Sequence, residues 1–134
     1  MAQLYHVLHL PQQAIQASAT QGYGVAGQVC YTQVRLANTL TTRLVGLLPQ
    51  HQLAPQQGLW ISPCNSIHSI GMRFEFDAAF IGGQGQVLHV IQAMRPFKVS
   101  PLVRHAVAVL EVPAHSLAAH GITLGDALYL VSPS

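Results

Sequence analysis

At 134 residues, half of them apolar and ten of them charged, the chain can bury a core without metal or disulfide staples, and most of it should fold. Its formal charge of +2 is weak and no run of Lys or Arg occurs, so there is no sequence-level footprint for nucleic acid or an anionic membrane. Two cysteines, Cys30 and Cys64, are too few for a disulfide scaffold and predict reduced thiols.

In chain order, Leu4–Leu10 is apolar but broken by His6 and His9 and stopped at Pro11. It has no basic stretch ahead of it, unlike a secretion signal, and no run reaches the length of a membrane span. The expectation is a soluble, cytoplasmic protein. Residues 11–28 are rich in Gln, Ala, Ser and Gly without an apolar period and read as a loop or mobile linker. Residues 1–28 are therefore expected to form a partly disordered N-terminal extension, with Leu4–Leu10 either an added edge strand or part of the tail. A single β-rich domain is expected over 29–134.

From Val29 to Leu36, β-branched and aromatic residues in alternation predict a strand. Asn38 or Thr39 can cap a helix in which Leu40, Leu44, Leu47 and Leu48 share one face, with Arg43 at its edge and Pro49 ending it. Gly58–Ile61 and Phe74–Ile81 read as strands. Gly82-Gly83-Gln84-Gly85 is a hairpin turn returning through Val87–Met94. Pro96–Pro101 is loop. Ala106–Val112 is apolar enough for a strand buried on both faces. Leu117–His120 is one helical turn closed by Gly121, and Gly125-Asp126 turns into a last strand, Ala127–Val131.

The string Pro63-Cys64-Asn65-Ser66-Ile67-His68-Ser69-Ile70-Gly71-Met72-Arg73-Phe74 resembles the signature of the bacterial domain-of-unknown-function family one-nine-two. Further pieces follow in the family's order: Ala37-x-Thr39 with Arg43-x-x-Gly46-Leu47, then Phe76–Ile81, Val109–Ala114 and Gly121-x-x-x-Gly125-Asp126. Glu75, where the family often has Pro, and Leu48, where it often has Met, depart from that pattern. With the strand pattern, the resemblance implies a mainly β (α+β) fold, a compact antiparallel or mixed sheet or half-open barrel with one short helix packed on it. It implies no activity.

Polar chemistry concentrates at Cys64–Asp77. Strand alternation would place Arg73, Glu75 and Asp77 on one face, either as a partly buried polar cluster or as a solvated face with weak ion pairs. Glu111 interrupts an apolar strand. It reads either as one half of a structural ion pair with Arg43, Arg73 or Arg95, or as a carboxylate facing a pocket. Cys64-x3-His68 is half of a metal site, or a thiol nucleophile with its base, or a small Cys and a His that satisfy their own loop. No Gly-rich phosphate loop follows a strand, so no nucleotide cofactor is expected.

The reading placed first is a non-enzymatic accessory domain. Arg43, Cys64, Asn65, Ser66, His68, Arg73, Asp77 and Glu111 would hold a small ligand or a protein partner. The alternatives are a Cys/His hydrolase or transferase and a metal-binding protein. No cofactor, no nucleic-acid partner and no membrane partner are expected.

Overall fold

The computed structural model describes residues 3–21, 27–39 and 52–133, with the backbone alone for 17–21. Strand β1 is Leu4–Leu10, helix α1 Gln12–Gln21, β2 Gln28–Ala37, β3 Gln57–Ile61, β4 Phe76–Gly82 and β5 Val87–Met94. After them come β6 Ala106–Pro113, helix α2 Ser116–Ala119 and β7 Ala127–Val131. The strands form one mixed sheet in the order β5-β4-β6-β3-β2-β1-β7. Only β2 and β3 run parallel. Gln86 bridges Ala127, and the Leu128 N–H donates to the Gly85 carbonyl at 2.8 Å, so the β4–β5 turn reaches β7 without closing a barrel. Gly85 makes this possible: its φ is +86°, and a Cβ there would run into the Tyr129 ring.

Both faces of the sheet are covered. Strand β4 is buried along its whole length because its side chains alternate between two apolar clusters. Ala79 and Ile81 join Val7, Tyr31, Leu110, Leu117 and Leu128 on one face. Phe76, Ala78 and Phe80 join Leu59, Ile61, Met94 and Val109 on the other. The mainly β, mixed-sheet expectation holds.

Three expectations change. Leu4–Leu10, expected as an added edge strand or part of the tail, lies inside the sheet: β1 pairs antiparallel with both β2 and β7, and Val7 is wholly buried. It is an interior strand because β2 and β7 would otherwise present open edges to water. Residues 12–21, read as loop, are helical. Ala and Gln are good helix formers, and the helix is fixed at its start, where the Gln12 N–H donates to Asp126 Oδ1 at 2.9 Å. Strand β4 begins at Phe76, so Arg73 and Glu75 lie on the preceding exposed loop and share no strand face with Asp77. The helix expected over Leu40–Leu48, with Arg43, lies outside the described residues.

Candidate functional site

Residues 62–75, opened by a cis Ser62–Pro63 bond, run alongside residues 95–105 over the Phe76–Phe80 face. His68 bridges Val99. The Ser69 N–H donates to the Lys98 carbonyl at 2.8 Å, the Ser100 N–H to the Ile67 carbonyl at 2.8 Å, and the Val103 N–H to the Asn65 carbonyl at 2.8 Å. Two hydroxyls tighten this pairing. Ser69 Oγ, wholly buried, accepts the Lys98 N–H at 2.8 Å and donates to the Arg95 carbonyl. Ser100 Oγ accepts the Ile67 N–H at 2.8 Å. The pairing satisfies the loop backbone at the place where the chain leaves the sheet ladder.

Side chains of the first segment alternate in and out. Ile67, Ser69 and Met72 are buried, whereas His68, Ile70 and Gly71 face solvent. In the second segment Phe97, Val99 and Leu102 are 72%, 70% and 71% exposed, the most exposed large apolar side chains among the described residues. The Phe97 N–H donates to the Ser69 carbonyl at 3.0 Å, which puts Phe97 beside Ile70. Arg73, Arg95, Lys98 and Arg104 are exposed on the same two segments. Glu75 meets Arg95 at 3.8 Å in the open.

The residues expected to form one polar cluster are spread over three places. Asn65, Ser66, His68 and Arg73 lie on the exposed outer side of the paired segments. Cys64 is half-buried beneath them, its Sγ donating to the Ser66 carbonyl at 3.2 Å, while His68 Nδ1 accepts the Ile70 N–H at 3.3 Å. These two contacts engage the loop backbone. Asp77 is wholly buried on the far face of β4. Its Oδ1 accepts the N–H groups of Ala93 at 2.8 Å and His115 at 2.9 Å, and its Oδ2 accepts that of Leu117 at 3.1 Å. Ala93 and His115 have φ of 49° and 69°, a region that side chains other than Gly seldom adopt. Asp77 thus anchors a strained bulge in β5 and the strained turn before α2, which is structural work.

Glu111 is buried in the cluster beneath the paired segments, in register with Leu59 and Ala78. No ion pair to it is formed among the described residues; Arg95 meets Glu75 instead, and Arg43 lies outside them. Burial pushes the Glu111 carboxyl up to about 8, which favours the protonated form at neutral pH.

One polar site escaped the sequence reading. His9 Nε2 donates to Asp126 Oδ2 at 2.8 Å, and the same oxygen accepts the Thr123 N–H at 3.1 Å. Both residues are buried. Burial pushes the Asp126 carboxyl up, but the hydrogen bonds from His9, Gln12 and Thr123 and the charge of His9 outweigh it and hold the pKa below its ordinary value. The signal available was His9 inside an apolar strand and an Asp closing a Gly turn. Cys30 and Cys64 are free thiols belonging to the two opposite clusters. Burial raises the Cys30 thiol to about 11 against the pull of two backbone hydrogen bonds, which makes it a poor nucleophile. Among the described residues no three His, Cys, Asp or Glu side chains gather as a metal-ligand set, and no helix is long and apolar enough to cross a membrane.

These features define an open mixed-sheet domain with one face roofed by a hydrogen-bonded pair of loops. The chain belongs to the DUF192 family, described as Uncharacterized ACR, whose profile matches residues 24–130. No curated protein matches it. A protein of Sinorhizobium meliloti 1021, described as a candidate transcription regulator, superposes with a TM-score of 0.77 at 20% identity, over 96% of this chain and 95% of that one. A protein of unknown function from Novosphingobium aromaticivorans DSM 12444 superposes with a TM-score of 0.74 at 19% identity, over 92% and 83%. At these identities the likeness establishes the fold alone.

Proposed function

We propose that this chain is a non-enzymatic binding module of the cytoplasm that docks through the outer side of the paired segments 62–75 and 95–105. The observation that carries the reading is the position of Phe97, Val99 and Leu102. A chain that buries Val, Leu and Phe on both faces of its sheet nonetheless holds the three most exposed large apolar side chains among the described residues on one hydrogen-bonded loop. Such a concentration marks an interaction surface, whereas scattered exposed residues need no explanation. Asn65, Ser66, His68 and Arg73 then serve as its polar margin. Two free thiols on opposite sides of the sheet fit a reducing compartment.

The test is a photo-crosslinking residue placed at Phe97 in living cells, with a control at Leu124, an exposed apolar residue outside the paired segments. Adducts at position 97, to a protein or to a lipid, and none at 124 are expected. Equal crosslinking at the two positions, or none at 97, would contradict docking through this surface.

A further inference from the structure

Cations are dispersed along this sequence, so no Lys or Arg run announces them. The fold gathers four of the six, Arg73, Arg95, Lys98 and Arg104, onto the paired segments. The acids go the other way. Of the four in the chain, Asp77, Glu111 and Asp126 are buried, which leaves Glu75 as the one exposed carboxylate. The docking surface is therefore an apolar tip on segments that carry four cations against one exposed carboxylate, Glu75, which meets Arg95 at 3.8 Å.

We propose that the paired segments rest on an anionic lipid surface, with Phe97, Val99, Leu102 and Ile70 entering the headgroup boundary and Arg95, Lys98 and Arg104 meeting lipid phosphates. This rests on the docking surface proposed above and names its occupant. Charge complementarity selects an anionic counterpart. The size of the tip selects lipid over protein. A stable protein interface takes about 20–30 residues a side, whereas a bilayer deforms around a few protruding apolar side chains and offers its phosphates as a continuum. The inner leaflet of the cytoplasmic membrane carries that negative charge. The contact lies on the membrane, and nothing in it requires a spanning helix.

Co-sedimentation with vesicles of phosphatidylcholine alone, and of phosphatidylcholine mixed with phosphatidylglycerol, tests it. The protein should bind the mixed vesicles, release as salt is raised, and leave the neutral ones largely unbound. Lys98→Gln and Arg104→Gln should each weaken binding about fivefold at low salt. Phe97→Asn combined with Leu102→Ser should abolish it. Asn tolerates the positive φ at position 97, so that variant keeps the turn, and a thermal melt verifies the fold. No binding to anionic vesicles, or binding indifferent to these changes, would overturn the proposal. A protein adduct at position 97 beside failed vesicle binding would refute the lipid occupant and leave the docking surface standing. Failure of both would remove both.

Discussion

Glu111 keeps its proton because it is enclosed by Leu59, Ala78 and Val109 and has no cation among the described residues. Unfolded, it ionises near 4.5; folded, near 8. The folded state binds the extra proton between those values. Its stability is therefore fully present below about 4.5 and falls as pH rises towards 8, by up to about 5 kcal/mol if the protein does not relax. Glu111→Gln cannot ionise. Thermal melts of the wild type should drop in midpoint from pH 5 to 8, and those of Glu111→Gln should not. Parallel profiles would show that the group meets water or an unseen cation. Asp126 acts in the opposite sense. Its pKa is lowered in the fold, so its contribution is present above the ordinary value of 3.8 and is lost as pH falls through the folded one. Asp77 is the residue with the most backbone depending on it. Asp77→Asn places an N–H₂ or a single carbonyl where a carboxylate now accepts three N–H groups. A loss of at least about 2 kcal/mol in denaturant melts is expected, and a change below about 0.5 kcal/mol would contradict the anchoring role.

At the scale of elements, β1 and the paired segments carry the argument. β1 fills the gap between β2 and β7, so its amides should exchange with deuterium as slowly as those of β2. Exchange like that of a frayed terminus would mean the strand is only loosely added. Ser69 clips the second segment to the first through Lys98 and Arg95. Ser69→Ala should cost about 1–3 kcal/mol and open the 95–105 segment to limited proteolysis before the sheet unfolds. Most strands were legible in the sequence because alternation and β-branched content are local: β2, β3, β5, β6 and β7 fall where the pattern put them, and the Gly82–Gly85 turn joins β4 to β5 as expected. What was not legible depends on distant partners. The start of α1 is fixed by Asp126, 114 residues away in sequence. β1 is recognisable as interior only once β2 and β7 flank it. Arg73, Glu75 and Asp77 alternate in sequence, but the strand begins too late for the first two to share its face.

For the molecule as a whole, surface charge departs from the formal value. With Glu111 protonated, six Lys and Arg stand against three ionised carboxylates, a net +3 in place of +2. Two of those three carboxylates are buried. The candidate site was only half legible for the same reason. Its polar members Asn65, Ser66 and His68 stand in one string, but the apolar tip is supplied by residues 97–102 and its charge by positions 73, 95, 98 and 104, which local pattern does not connect. The signal present was an apolar loop: Phe97, Val99, Leu102 and Val103 lie where turn residues would be expected, between Pro96 and Arg104. The chain has four phenylalanines; Phe76 and Phe80 are wholly buried, Phe74 is half-buried and Phe97 is exposed. Fluorine NMR of fluorophenylalanine-labelled protein in intact cells therefore reads the docking surface against internal controls. The account predicts that the Phe97 resonance is shifted or broadened relative to purified protein well beyond those of Phe76 and Phe80. A Phe97 resonance that keeps its free position and its width relative to theirs would contradict it.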